Sequence, residues 1–504
     1  MNNIAKENSR TKNAILNVFY GYIAQIGILI LSFVGRRIFL HFLSADYLGI
    51  NGLYSNILTL LSLAELGLDT AVVYSLYRPV AEHDNVQIAS LLKFFKKLYY
   101  VLAFGILIIG GCLVPFLRFL VTSDLPESDL IVYYLLFLIN SVASYFVAHK
   151  VALLSACQQQ RIQKTVTLSV NLLLQVAYIV VLLIWKNYYA YVIAMVCSTF
   201  LMNIILSVIC SKIHPEVFEC KETVDIDKKP ILKRVGSTFL YKLGAVIVTS
   251  TDNILISVLV STLAVGYYSN YYTVVSAVQG FIAIITTSMV AGIGNLAVNA
   301  GSEKQAELFD MMLLFYHLVG AVGLIGFSLL FNNLITIWLG SEYLFDTATV
   351  FIIAFNFYLT NAISPVWMFR EANGLFDKVK FILLIRAAFN LIFSVLFGMV
   401  WGVFGIFAAT ALSLIMTNFW LEPKIVSKEI LKRKQSIYWL KQLKYFIVTI
   451  IAYACAFFAT FKIGDTLVCL IVKAAIICVI TAAIFVVANL KTPELVKLKG
   501  YLKR

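Results

Sequence analysis

The sequence predicts an all-α polytopic membrane protein, and two observations lead to that prediction. Of its 504 residues, 61% are hydrophobic and only 13% are charged, whereas a soluble protein of this length needs far more polar surface. The apolar residues form long runs, and residues 254–302 pass without a single charge. Because a backbone in hydrocarbon must satisfy its own hydrogen bonds, such runs form membrane-spanning helices.

The apolar runs divide into fourteen predicted spans at about 20 residues for each crossing. The predicted limits are 13–35, 46–77, 92–118, 130–156, 163–185, 188–211, 234–260, 263–298, 306–331, 346–370, 378–399, 402–422, 439–461 and 466–489. The first run is too long for a signal peptide and has no cleavage site, so we expect it to be a retained helix.

An internal repeat relates the two halves of the chain. The aligned pairs are Ser44 with Ser261, Gly49 with Gly266, and Tyr54 with Tyr271, and their constant separation in numbering is called the repeat offset below. Each repeat has six spans, an even number, so both repeats have the same orientation in the membrane. We expect a pseudo-two-fold axis along the membrane normal to relate them. The predicted domains are an N-terminal six-helix lobe (1–211), a cytoplasmic linker (212–233), a C-terminal six-helix lobe (234–424), and a segment with helices 13 and 14 and a basic tail (425–504).

The distribution of basic residues predicts the orientation. Lysines and arginines crowd the segments 211–234 and 422–444, whereas the alternate loops 260–263, 332–347 and 399–402 contain none. By the positive-inside rule both termini face the cytoplasm. The net charge of +14 therefore points to anionic membrane lipid, and we expect no nucleic-acid partner.

Polar residues recur on one face of the first span and at equivalent positions of the seventh. The two sets are Gln25, Ser32 and Arg36, and, one repeat offset later, Lys242, Thr249 and Asn253. Positions seven and eleven apart return to nearly the same helix face. Facing lipid would cost a few kcal/mol for each charge, so these stripes face protein or water.

Other ionisable groups also lie within predicted spans. They are Glu65 and Asp69 in the second span, Lys150 in the fourth, Asp252 in the seventh and Arg386 in the eleventh. An ionisable group inside a membrane is a functional hypothesis by default. The alternatives are helix packing by the small polar side chains, and snorkelling of Arg36 and Arg37 to outer headgroups from the end of the first span.

No catalytic motif appears in the sequence. There is no P-loop, no GxSxG, no HExxH and no CxxC pair, and the five histidines are dispersed. We therefore expect no enzyme, no metal site and no cofactor. Energy would come from a gradient, with a proton or sodium as the possible coupling ion.

Two segments carry a resemblance to a known family. FLSADYLGINGLYSNILTLLSLAELGL (42–68) and its echo TDNILISVLVSTLAVGYYSNYYTVV (251–275) resemble bacterial polysaccharide-repeat-unit (Wzx-type) flippases of the multidrug/oligosaccharidyl-lipid/polysaccharide (MOP) exporter superfamily. The resemblance is most specific from Leu48 to Asn56, at Glu65-Leu66-Gly67, and at Asp252.

The resemblance implies export of an undecaprenyl-diphosphate-linked oligosaccharide by alternating access, for capsule, exopolysaccharide or O-antigen. It also implies membrane lipid and a polysaccharide polymerase machinery as partners. Cationic cavity residues would hold the diphosphate, and the positions available are Arg36, Arg37, Lys150, Lys242 and Arg386. The polar or coupling candidates are Gln25, Glu65, Asp69, Thr249, Asp252 and Asn253.

Three alternative functions remain open on the sequence. A lipid-linked cell-wall-precursor flippase shares the plan, although the arginine-rich first helix of that group is not found here. A multidrug or cation antiporter of the same superfamily would prefer an acidic cavity and usually twelve helices. An integral-membrane polysaccharide polymerase or ligase would need catalytic residues on a large outer loop, and the outer loops are short.

Overall fold

The computed structural model of the chain describes residues 26–502 except 66, 67, 221, 223 and 300, and omits some side chains within that range. The described residues are almost entirely helical and contain no strand. They include ten helical stretches long and apolar enough to cross a membrane, and a shorter apolar helix at Val246–Leu259. The predicted fold class is therefore confirmed, while the count of fourteen spans stays a prediction.

Contacts divide the chain into two compact units. Unit 1 comprises Met1–Val246 and Ser261–Gly266, and unit 2 comprises Ile247–Val260 and Tyr267–Arg504. The predicted domain limits at 211, 233 and 424 stay predictions.

The helices of unit 1 are separated in places by short breaks inside the predicted spans. They are residues 26–42 (α1), Ala45–Leu61 (α2), Leu68–Ala81 (α3), Asn85–Leu113 (α4), Leu117–Leu120 (α5), Glu127–Ala143 (α6), Ala148–Ala156 (α7), Gln160–Trp185 (α8), Tyr188–Ile213 (α9) and Pro215–Phe218 (α10). The second predicted span is thus not continuous, because a 3-10 turn at Ser62–Glu65 separates α2 from α3.

The remaining helices belong wholly or partly to unit 2. Helix α11 passes from one unit into the other, and the first turn of α12 belongs to unit 1. They are Lys228–Leu259 (α11), Thr262–Asn299 (α12), Ser302–Trp338 (α13), Thr347–Ala372 (α14), Phe376–Met416 (α15), Asn418–Glu429 (α16), Gln435–Thr460 (α17), Leu467–Ala488 (α18) and Pro493–Leu502 (α19).

Helix α15 merges the predicted eleventh and twelfth spans. The backbone breaks at Gly402, where φ is 58° and ψ is −133°. A side chain disfavours that conformation and glycine permits it. The stretch Lys378–Glu429 has 52 residues, which is enough for two crossings of about 20 residues each.

The end of α1 corrects one sequence expectation. The first span was predicted to stop at 35, leaving Arg36 and Arg37 at its end, but the helix continues to residue 42. Arginine is a good helix former, and the chain turns only at residues 43 and 44, before α2. Arg36 therefore lies about 9 Å inside the helix, at 1.5 Å for each residue.

The internal repeat is visible as local structure. Ser44 directly precedes α2 and Ser261 directly precedes α12, so that the two helices begin at equivalent positions of the repeat. The aligned tyrosines Tyr54 and Tyr271 are both fully buried. Each uses its hydroxyl as a donor, Tyr54 to the carbonyl of Leu130 at 2.9 Å and Tyr271 to Oδ1 of Asn332 at 2.8 Å. The repeat thus extends to the interior contacts.

The two aligned glycines make reciprocal close approaches within unit 1. A Cβ built on Gly49 would overlap the carbonyl oxygen of Thr262, and one built on Gly266 would overlap that of Ala45. Since 45 and 262 are also a repeat pair, the start of each helix packs on the glycine of the other. Thr262 is fully buried here, and its amide donates to the carbonyl of Thr122 at 3.1 Å.

Ion pairs hold the last helices of unit 2 together. Arg433 binds Asp310 of α13 in a bidentate pair with two distances of 2.6 Å. Lys441 of α17 contacts the same carboxylate at 2.8 Å and also Glu494 of α19. Helix α19 is therefore attached to α13 and α17 by charge as well as by packing.

Candidate functional site

A polar cluster surrounds Arg36 inside unit 1. The guanidinium interacts electrostatically with Tyr191 of α9. The Tyr191 hydroxyl is hydrogen-bonded to Tyr178 of α8 and Asn51 of α2. We call Arg36, Asn51, Tyr178 and Tyr191 the Arg36 cluster; it joins α1, α2, α8 and α9.

Aromatic stacking positions the cluster. The Tyr178 and Tyr191 rings stack with centroids 3.8 Å apart, and Phe39 packs edge-on against Tyr191 at 5.1 Å. Arg36 is partly buried, whereas its neighbour Arg37 is exposed. Of the two predicted arginines, therefore, only Arg36 is shown within this polar interior.

A second polar network surrounds Asp252 in unit 2. The Thr410 hydroxyl lies 3.2 and 3.3 Å from the two carboxylate oxygens of Asp252, close enough to donate to either. Asn390 donates through Nδ2 to the Thr410 hydroxyl at 2.9 Å. We call Asp252, Arg386, Asn390 and Thr410 the Asp252 network; it joins α11 to both halves of α15.

Arg386 connects this network to a buried ion pair. The guanidinium interacts electrostatically with Glu422 and with Asp252. Glu422 is fully buried and forms a 2.8 Å ion pair with Arg370, which is also buried. Within the part of the chain that the structure describes, Nε of Arg386 has no hydrogen-bond partner. Arg386 thus stands between two acids with one donor still to be satisfied.

Lys150 lies apart from the Arg36 cluster. Its ammonium donates to the hydroxyls of Ser207 and Ser211, each at 2.8 Å, near the end of α9 that leads into α10. Arg36 lies near the opposite end of α9, beside Tyr191 in its first turn. The structure therefore does not bring these two predicted cations together.

Several predicted site residues have side chains that lie outside the described part of the structure. Gln25 lies outside the described residues. The backbones of four others are helical or 3-10, but their side chains lie outside the described part. They are Glu65, Asp69, Lys242 and Thr249. Asn253 is described, and its Oδ1 is buried without a hydrogen-bond partner among the described residues.

The two networks occupy equivalent helices of the repeat. The Arg36 cluster uses the first, second, fifth and sixth predicted spans, and the Asp252 network uses the seventh, eleventh and twelfth. Tyr268, which aligns with Asn51 at the repeat offset, also interacts electrostatically with Asp252. Each repeat therefore carries an ionisable group held by polar side chains on matching helices.

Sequence reasoning did not single out four of these residues: Tyr178, Tyr191, Thr410 and Glu422. Tyrosines and threonines are common in membrane helices, so nothing in their spacing separates the functional from the packed ones. Glu422 offered a signal, since it is an acid at the end of a predicted span.

The chemistry of these groups suits binding and not metal ligation. Arginine presents a planar fork of donors that fits phosphate oxygens, and the partly buried Tyr191 interacts electrostatically with it here. Within the described residues there is no group of three or more His, Cys, Asp or Glu side chains that would hold a metal ion.

The fold is similar to that of solved membrane transporters and flippases. Three solved structures are similar. They are the lipid II flippase MurJ in an inward closed conformation (14% identity, 93% of this chain, 99% of that chain, TM-score 0.70), a multidrug resistance MATE family transporter of the MOP superfamily in an inward-facing conformation (14%, 80%, 98%, 0.61), and the Vibrio cholerae MATE transporter VcmN (13%, 81%, 96%, 0.55). At these identities the likeness shows the fold alone.

The family follows from the sequence match. Residues 15–291, more than half of the chain, match the family model described as "Polysaccharide biosynthesis protein". The chain therefore belongs to the polysaccharide biosynthesis protein family, and the predicted resemblance to polysaccharide flippases of the MOP superfamily is confirmed. No curated protein matches the sequence.

Proposed function

We propose that this protein moves an undecaprenyl-diphosphate-linked oligosaccharide repeat unit from the inner to the outer leaflet of the bacterial plasma membrane. It does so by alternating access and supplies capsule, exopolysaccharide or O-antigen synthesis. Both termini face the cytoplasm, and a polysaccharide polymerase machinery receives the product. The protein is not an enzyme, since it changes the leaflet of its substrate and no bond.

The position of Arg36 carries the proposal. In a chain of the polysaccharide biosynthesis family, Arg36 lies about 9 Å from the end of an apolar helix, and its guanidinium interacts with the partly buried Tyr191. An arginine within a membrane span is costly to keep without a partner and is therefore a functional hypothesis by default. A diphosphate is the anion whose paired oxygens suit this donor fork. Arg37, Lys242 and Arg386 are the further candidates for the same anion.

Electrostatics favours outward movement of such a substrate. Each negative charge that leaves a negative-inside cell gains about 2.3 kcal/mol per 100 mV. The sugar head group needs a polar path, because each hydroxyl without a partner in hydrocarbon costs a few kcal/mol. Polar side chains inside the spans, such as those of the Arg36 cluster, reduce that cost.

Loss of the gene tests the substrate. We expect lipid-linked oligosaccharide to accumulate on the inner leaflet and surface polysaccharide to fall at least tenfold, with both reversed by the intact gene. Normal surface polysaccharide in the deletion strain, or elongation of glycan by the purified protein, would show the proposal to be wrong. Accumulation of cell-wall precursor with unchanged polysaccharide would support the precursor-flippase alternative instead.

We further propose that Asp252 couples transport to a proton or sodium gradient. Asp252 is the carboxylate of a network whose partners are the neutral Thr410 and, more distantly, the cation Arg386. Gain or loss of one cation would change the charge of that network, and a change of charge inside a membrane shifts the balance between conformations.

Asp252→Asn removes the titratable group and keeps the shape. In proteoliposomes, we expect the gradient-stimulated flipping rate of the variant to fall at least tenfold. Its flipping rate without a gradient should be unchanged. Asp124→Asn, at an acid on the short loop after α5, is the matched control and should leave both rates unchanged. Undiminished gradient stimulation in Asp252→Asn would remove the coupling role. Export of a cationic dye that Asp252→Asn abolishes would favour the antiporter alternative.

A further inference from the structure

Lys150 of α7 is held in an unusual setting for a membrane lysine. Its ammonium nitrogen lies 2.8 Å from Oγ of Ser207 and 2.8 Å from Oγ of Ser211, and 3.4 Å from the Ser207 carbonyl. The ring of Phe218 on α10 lies 4.9 Å from the same nitrogen. All of these partners are uncharged, so they orient the ammonium but do not neutralise it.

A second lysine lies near the positive charge of Lys150, and no carboxylate among the described residues neutralises it. Lys96 of α4 is close enough to interact electrostatically with Lys150. In the part of the chain that the structure describes, Lys150 has no carboxylate within ion-pair distance. A partly buried charge without an opposite partner is costly, because its desolvation is not offset. An anion bound here would remove that cost.

The two serines add donors beside the ammonium. Each hydroxyl accepts from Lys150, so its own hydrogen must point elsewhere. Neither hydroxyl donates to another group among the described residues. The ammonium and two hydroxyl hydrogens on consecutive turns of α9 together suit the oxygens of one phosphate.

An apolar groove shares Ser207 with this group of donors. It has a volume of about 240 Å³ and is lined by the end of α6, by residues 146 and 147 before α7, and by one face of α9. Its lining includes Phe146, Phe200, Ile204 and Val208, all of which are exposed, and Ser207 at the polar end. Exposed apolar side chains in a membrane-spanning helix face acyl chains. A polar head site next to an apolar groove matches the two parts of a phospholipid.

We propose that Lys150, Ser207 and Ser211 bind the phosphate of an anionic phospholipid, with an acyl chain of that lipid in the neighbouring groove. The basic end of this bundle carries Lys93, Lys96, Lys97 and Lys212, which by the positive-inside rule places the site at the inner leaflet. Basic pockets between helices on this side suit anionic head groups. The site depends on the proposed orientation but not on the proposed transport activity.

Native mass spectrometry of the full-length protein in detergent tests the site, with phosphatidylglycerol as the probe. We expect one tightly retained molecule, and at least tenfold weaker retention of phosphatidylcholine with the same chains. Lys150→Gln should weaken phosphatidylglycerol about tenfold or more, since hydrogen bonds to charged groups are worth this much. The double variant Ser207→Ala/Ser211→Ala keeps the positive charge of Lys150 and should weaken the binding of phosphatidylglycerol severalfold. Lys212→Gln replaces an exposed lysine beside Ser211. It is the matched control and should not change the binding of phosphatidylglycerol.

Four results would overturn the proposal. The first is equal loss of affinity in Lys150→Gln and Lys212→Gln, which would indicate a diffuse charge effect. The second is equal retention of phosphatidylcholine. The third is displacement of the lipid by millimolar inorganic phosphate, which would indicate a free-phosphate site. The fourth is one-for-one displacement by undecaprenyl phosphate, which would place Lys150 on the substrate path. Thermal unfolding of each variant in phosphatidylcholine alone separates loss of the site from loss of the fold.

Discussion

Replacing Arg36 with alanine is expected to reduce surface polysaccharide at least tenfold while the protein still inserts and accumulates normally. The physical reason is the loss of a charge-assisted contact to the diphosphate, worth about 1.5–3 kcal/mol, where about 1.4 kcal/mol is a factor of ten. The measurement is surface polymer in a deletion strain that carries the variant, normalised to membrane-inserted protein. Lys242→Ala is expected to act in the same direction.

A second variant separates the charge of Arg36 from its geometry. Arg36→Lys keeps the positive charge but loses the planar fork, so it should recover part of the activity and not all of it. Arg118→Ala is the matched control, since it removes an exposed arginine of α5, outside the Arg36 cluster. Normal polymer in both Arg36→Ala and Lys242→Ala would show that the charged-residue mechanism is wrong.

Introducing a methyl group at Gly49 or Gly266 is expected to destabilise the packing of α2 on α12 by about 3 kcal/mol or more. In each case the new Cβ would lie closer than 3.0 Å to a backbone carbonyl, which cannot rotate away as a side chain can. Overpacking commonly costs about 1–3 kcal/mol, and the rigid neighbour puts these sites at the upper end. The measurement is thermal unfolding of purified Gly49→Ala and Gly266→Ala in one detergent.

Other glycines of unit 1 supply the control for this prediction. Gly105 and Gly111 are also helical, but a Cβ on either meets nothing within 4 Å. Gly105→Ala and Gly111→Ala should therefore be neutral or stabilising by up to about 1 kcal/mol, because alanine favours a helix over glycine. If all four alanine variants unfold at the same temperature as the parent protein, the close approach of α2 and α12 does not exist in the folded protein.

Many helix limits were predictable because hydrophobic length is a local property. The spans predicted at 188–211 and 466–489 appear as Tyr188–Ile213 and Leu467–Ala488. The breaks were not predictable in the same way. The 3-10 turn at Ser62–Glu65 interrupts one predicted span, and α1 continues past Arg36 and Arg37, where the hydropathy falls. Both outcomes depend on what the helices pack against.

The residues of the candidate site were also predictable only in part. The ionisable members Arg36, Asp252 and Arg386 stood out, because charge inside an apolar span is visible in one dimension. Their partners Tyr191, Thr410 and Glu422 did not, because each lies on a helix distant in sequence and is common in its own surroundings.

The sequence by itself determined the membrane class, the all-helical fold, the internal repeat and the family, because each depends on composition or on the order of residues along the chain. Only the tertiary structure decided which side chains share an environment. It separated Lys150 from Arg36, placed Arg386 between two acids, and showed why Gly49 and Gly266 are glycines. Those outcomes depend on distances between helices, and such distances are set by packing over the whole bundle.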